Sequence, residues 1–185
     1  MKIIFIISSL KKCGPVSQLY ELLSAQENSN NITILALSED HESTRLDDFE
    51  DIGVDVITLD SSNFRFLSAP KNIRKELTKG HYDVICSQGF RSDLSCSLMD
   101  FSYRKKTFSI IHNYMYVDYR DQYSKLTGAI MTSVHAWSLR RLGRVISVSK
   151  AVEQNLQHVY EITSIAIQNG VSQKNLKYGQ PAKQE

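Results

Sequence analysis

Apolar residues gather into seven short runs rich in β-branched side chains, at residues 3–7, 32–37, 54–59, 83–86, 107–111, 144–148 and 164–167. Runs of this length predict buried strands. Between them, apolar positions recur every three or four residues: Val16, Leu19, Tyr20 and Leu23; Ile73 and Leu77; Leu94, Leu98 and Phe101; Ile130, Val134 and Trp137; Val152, Leu156 and Val159. That period predicts helices with one apolar stripe each. Residues 43–51 are charged and weakly periodic, and predict a further short helix. Strand and helix therefore alternate, which predicts parallel strands joined by right-handed crossovers. The expected fold is α/β: a Rossmann-like, doubly wound parallel sheet of about seven strands in a single domain, residues 1–172. The polar, aperiodic stretch 173–185 is expected to be a linker or disordered tail.

In such a sheet the loops after the strands share one edge, and ligands bind there. Those loops are residues 8–14, 38 onward, 60–70, 87–91, 112–127, 149, and 169–170. The segment 112–127 reads as the longest without structure, where connections in these units usually run to about two to six residues. It opens with "SIIHNYMYVDY": a buried-type strand stops at His112 and Asn113 and is followed by tyrosines at 114, 116 and 119.

Composition narrows the function classes. Lys plus Arg number 22 against 20 Asp plus Glu, so charge gives no reason to expect a nucleic-acid partner. Cys13, Cys86 and Cys96 are odd in number and unpaired in spacing, which suggests neither a disulfide framework nor a thiolate zinc site. The five histidines show no ligand spacing, so no metal is expected. "MKIIFIISSL" has too short an apolar core for a signal peptide or a membrane span, and reads as the first strand. The expected location is cytoplasmic, with any membrane contact peripheral at the inner face. Arg65, Lys71, Arg74, Lys75, Arg104, Lys105, Lys106, Arg140, Arg141 and Arg144 could supply a patch for an anionic membrane. An ordinary solvated surface is the alternative.

Nucleotide-binding signatures of the P-loop and G-x-G-x-x-G kinds are absent, as is G-x-S-x-G. Candidate chemistry lies instead at the strand ends. Gly14 and Pro15 open a helix whose first amides could face an anion, or simply begin a helix. Gln88, Gly89 and Arg91 follow the fourth strand; Arg91 could face the ligand edge or stand in solvent, with Ser92 or Asp93 as cap. His112 could handle a proton or satisfy a loop carbonyl. Tyr114 and its neighbours could stack on sugars or lie in an interface. Ser149 precedes a helix with Glu153 in its first turn, the chemistry of an N-cap.

"DVICSQGFRSDL", "TFSIIHNY", "RLGRVISVSKAVEQNL" and "IAIQNGVS", in this order, resemble the N-terminal half of a GT-B fold glycosyltransferase of family 4 (GT4, group 1). The resemblance runs from Met1 to about Ser172. It implies an acceptor-binding domain of a retaining enzyme that transfers a hexose-type sugar from a nucleotide-sugar donor, without a cofactor, to a glycan or lipid-linked acceptor in cell-envelope or capsular polysaccharide synthesis. It also implies that His112 lines the reaction centre, and that Gly14, Pro15, Gln88, Gly89, Arg91, Asn113, Tyr114 and Ser149 are substrate-binding. Gly-Pro stands where the family often has Gly-Gly, and Gln88 where many members have histidine. The donor-binding domain, with its Glu-x7-Glu motif, is expected to be absent from this chain, which would then be inactive alone. The alternative is a non-catalytic acceptor-binding subunit working with a separately encoded donor-binding partner.

Overall fold

A computed structural model describes residues 1–26, 31–38, 44–59 and 69–170. Seven parallel strands form one sheet: β1 (Ile3–Ile7), β2 (Ile32–Ala36), β3 (Asp55–Thr58), β4 (Val84–Gln88), β5 (Thr107–Ile111), β6 (Val145–Ser147) and β7 (Ile165–Ala166). Their order is β3-β2-β1-β4-β5-β6-β7. The chain winds outward from β1 to β3 on one side, then restarts at β4 on the other side of β1. This reversal opens a crevice at the carboxyl ends of β1 and β4, the place where open α/β sheets take ligands.

Both sheet faces are covered because the central strands are apolar on both sides. On β1, Phe5 and Ile7 pack with Val16, Leu19 and Leu23 of α1 (Gly14–Ser24) and Phe49 of α2 (Leu46–Asp51). Ile4 and Ile6 point the other way, onto Ile73 and Leu77 of α3 (Ala69–Gly80). The remaining helices are α4 (Phe90–Ser97), α5 (Phe101–Arg104), α6 (Met115–Gln122), α7 (Lys125–Leu142) and α8 (Lys150–Tyr160). A third cluster joins Ile111, Met115, Leu139, Val145, Val152 and Leu156 beneath the far half of the sheet.

The structure corrects the sequence reading in several places. Residues 112–127 are not a long loop: α6 occupies half of the segment and α7 begins at Lys125. Only Met115 of α6 is fully buried, so the helix carries no apolar period to detect. On α7, Ile130 and Trp137 are exposed; the inward face is Gly128, Thr132, His135, Ala136, Ser138, Leu139 and Leu142. Likewise α4 buries Ser92, Asp93, Ser95 and Ser97, while Leu98 and Phe101, expected on its stripe, are exposed. Val159 of α8 is exposed as well. Strand β4 runs two residues further than its apolar run, to include Ser87 and Gln88, and β7 is a two-residue edge. The short helix expected at 43–51 begins at Leu46, residue 43 lying outside the described residues, as do the tail 173–185 and most of the loop 60–70.

Small and polar residues face inward on α7 because other helices lie close against it. A Cβ placed on Gly128 would stand 2.9 Å from the Arg120 backbone nitrogen and 3.0 Å from the Tyr119 carbonyl carbon. Both neighbours are backbone of α6 and cannot rotate away. We therefore expect Gly128→Ala to destabilise the chain by about 1–3 kcal/mol, the range for overpacking. Urea denaturation checks this; an unchanged midpoint would mean that α6 does not rest on Gly128.

Candidate functional site

The crevice holds a cleft of about 210 Å³ lined by the ends of β1, β4 and β5, the start of α1 and one face of α6. Each strand contributes what stands just beyond its apolar run: Ser8 and Ser9 after β1, Gln88 and Gly89 at the end of β4, and His112 and Asn113 after β5. A more open hollow of about 490 Å³ beside β3, lined by Thr33, Glu50, Asp55 and Tyr82 among others, lies away from these strand ends and has none of their chemistry. The strand-end cleft is the candidate site.

Gly89 adopts φ 94°, ψ 160°, a region essentially reserved for glycine, and turns β4 directly into α4. Gly14 is different: nothing lies within 4 Å of a Cβ built on it, so the protein itself does not require glycine there. Pro15 stands in the first turn of α1, and Cys13, at the N-cap, makes no side-chain cap bond. The uncapped amides of that turn, with Cys13, Pro15 and Val16 at the cleft wall, give a site suited to an anion.

His112 is half-buried, and its Nε2 is buried without a hydrogen-bond partner in the protein. Buried polar atoms are normally paired, so this nitrogen at the cleft wall is available to a ligand. Burial lowers its pKa below the usual histidine value, with the Asp93 carboxylate pulling partly the other way. Asn113 donates from Nδ2 to Asp118 Oδ2. Asp118 is raised above the ordinary carboxylate range, first by burial and then by Asp121.

Of the residues singled out from the sequence, Pro15, Gln88, Gly89, His112 and Asn113 come together in the cleft, with Gly14 held between two lining residues. Arg91, Tyr114 and Ser149 do not line it. Arg91 Nη1 reaches Ser38 Oγ at 3.5 Å, Tyr114 is exposed, and Ser149 Oγ accepts from the Val152 amide at 3.2 Å as the cap of α8. Sequence reasoning missed Asp118, Gln122 and His135 as cleft residues, and noted Tyr119 only as one of several tyrosines. Nothing in the apolar pattern marks them: Tyr119 stands in the segment expected to be a loop, and His135 and Asp93 are single polar residues on or beside predicted helices.

Among the described residues there is no group of three His, Cys, Asp or Glu side chains arranged to hold a metal ion, and no helix long and apolar enough to cross a membrane. The three cysteines are free: Cys13 is exposed, while burial pushes the Cys86 thiol up to about 12 and raises Cys96 as well. Several of the basic residues have partners, Arg74 with Asp100 at 3.0 Å, Arg141 with the Ser97 carbonyl at 2.7 Å and Arg104 with the Met99 carbonyl at 3.1 Å, while Arg65 lies outside the described residues.

The depressed His112 has a sign that can be checked. Its unfolded value is the ordinary one, near 6.5. Below that pH the unfolded chain takes up a proton that the folded chain resists, so stability falls as pH drops through the window between 6.5 and the lower folded value. Above 6.5 both states are neutral and His112 contributes no pH dependence. Thermal melts of the native chain and of His112→Gln between pH 7.5 and 5 should show a steeper acid loss in the native chain; parallel curves would contradict the burial.

Comparison with known proteins places these features. Two curated relatives, both O-antigen biosynthesis glycosyltransferases WclY of Escherichia coli, are 28% identical over 120 residues, 64% of this chain and 30% of theirs. The chain thus spans about 30% of the length of the curated relatives it matches. Among solved structures, HepE of Anabaena in complex with UDP superposes with a TM-score of 0.67 at 16% identity, over 93% of this chain and 45% of that one. The lipopolysaccharide outer core galactosyltransferase WaaB, in its apo form, gives 0.66 at 16% identity, over 100% of this chain and 50% of that one. At such identities the likeness is one of fold, and it is the fold of one half of a GT-B glycosyltransferase. The pattern of Glycosyltransferase Family 4 matches residues 14–174, nearly the whole chain, and the chain belongs to that family.

Proposed function

We propose that the chain is the acceptor-side half of a retaining glycosyltransferase that moves a sugar from a nucleotide-sugar donor onto a glycan or lipid-linked acceptor, in the synthesis of an envelope polysaccharide of the O-antigen kind. The observation that carries the reading is His112: a histidine at the carboxyl end of a central strand, its Nε2 buried yet unpartnered, at the wall of the cleft. Family membership supports the reaction class, and the WclY relatives support the polysaccharide context. The complexes of HepE with UDP and with UDP-glucose support a nucleotide sugar as donor.

The residues present suit such a transfer. As the bond between the sugar and the diphosphate breaks, negative charge grows on the leaving oxygen, and the uncapped amides at the start of α1 can face it. Gly89, without a side chain, leaves the backbone open to close approach beside Ser8. His112 is kept neutral to lower pH than an ordinary histidine, so at neutral pH it offers one donor or one acceptor to the reacting sugar instead of a competing positive charge. None of these roles needs a metal or a cofactor. The donor's base and ribose would be held by the complementary half of a GT-B enzyme.

The test uses the protein with its donor-binding half present. His112→Ala is expected to lower turnover by about 10²-fold or more, the range for a positioned hydrogen-bonding or proton-handling group, with the melting temperature at pH 7.5 changed little. A histidine that only supports the fold would give the reverse pair: a lower melting temperature and nearly full turnover per folded molecule.

A further inference from the structure

Four polar side chains from four different elements form one hydrogen-bonded line that runs from the core to the cleft. Ser87 Oγ on β4 donates to Asp93 Oδ1 on α4. His135 Nε2 on α7 lies 2.8 Å from Asp93 Oδ2, and His135 Nδ1 lies 2.7 Å from the hydroxyl of Tyr119 on α6. Ser87 and Asp93 are 0% exposed and His135 2%. Phe90 meets the Tyr119 and His135 rings edge-on at 5.8 and 5.7 Å. Burying such a line is costly, and apolar side chains of similar size could fill the space between α4 and α7 at least as stably. Its value therefore lies at its open end, where Tyr119 lines the cleft together with His112, Asn113, Asp118 and Gln122.

With His135 as a neutral ring, the hydrogens along the line take one direction. The Ser87 proton is directed at one oxygen of the Asp93 carboxylate, and the other oxygen, as an acceptor, takes the proton of His135 Nε2. In the neutral ring Nδ1 is then a bare lone pair, to which Tyr119 donates. With its only proton directed inward, the phenol oxygen retains nothing but lone pairs for the cleft. Burial, reinforced by Asp93 and Asp118, raises the Tyr119 pKa, which keeps that proton in place.

We propose that Tyr119 is a sugar-binding residue of the cleft that accepts a hydrogen bond from a sugar hydroxyl, and that Ser87, Asp93 and His135 are positioning residues that fix the direction of its own proton. The ligand class rests on the proposed function; the direction of the line does not. Two measurements on the chain separate them. With 15N-labelled histidine at pH 7.5, His135 is expected as the Nε2–H tautomer with Nδ1 a hydrogen-bonded acceptor, and Tyr119→Phe should move Nδ1 alone toward the shift of an unbonded lone pair. An Nδ1–H tautomer or a doubly protonated ring would overturn the proposal. In the second measurement, methyl α-D-glucopyranoside is titrated as a probe while the Tyr119 and His112 ring signals are followed. Both should shift, and Tyr119→Phe should weaken the probe by about three- to tenfold, the worth of one net hydrogen bond. A probe that moves His112 but not Tyr119, or that binds Tyr119→Phe undiminished, defeats this proposal and leaves the proposed function standing. A probe that moves neither defeats both.

Discussion

A carboxylate without access to water has to be met by donors inside the protein, and Asp93 is such a group. Meeting it brings together elements that are distant in sequence: Ser87 from a central strand and His135 from a helix about forty residues later. Once His135 is drawn against α4, the inward side of α7 around it must be narrow, and it carries Gly128, Thr132, Ala136 and Ser138, with the larger Leu139 and Leu142 turned inward only near the end of the helix. The narrow face admits α6, whose backbone sits almost in contact with Gly128. The wall of the cleft beyond β5 is therefore a consequence of where one charge is buried.

This arrangement explains which parts of the protein were legible in the sequence. Strands are announced by continuous apolar runs, because parallel strands covered on both faces need apolar side chains on both, and Ile3–Ile7 is such a run. The early helices α1 and α3 have ordinary stripes, with Val16, Leu19 and Leu23 or Ile73 and Leu77 turned inward. The pattern fails where packing is polar. Ser92, Asp93, Ser95 and Ser97 look like a solvated helix and are buried, whereas Ile130 and Trp137 look like a core stripe and face outward. Hydrophobic period is a record of apolar packing, and α4, α6 and α7 also meet through hydrogen bonds and close backbone contact, which leave no such record.

The candidate site divides along the same line. Its strand-end half was readable, because topology alone carries Gly89 and His112 to one edge, and four motifs in order pointed to the family. Its helical half, Asp118, Tyr119 and Gln122 with His135 behind them, depends on pairings across 16 and 42 residues that no local spacing records. The two halves differ in chemistry as well. The strand ends and α1 present backbone amides and the His112 ring, while α6 presents the side chains of Asp118, Tyr119 and Gln122.

The cysteines carry a practical consequence. Cys86 and Cys96 are sheltered, with thiols pushed up by burial, whereas Cys13 is exposed and sits at the mouth of the cleft beside Pro15. Because the thiolate is the reactive form and needs access, a maleimide dye would attach at a single natural position, on the rim of the cleft and away from the core. The sequence thus comes with its own attachment point for a fluorophore that reports occupancy of the cleft, with no engineered cysteine to disturb the fold.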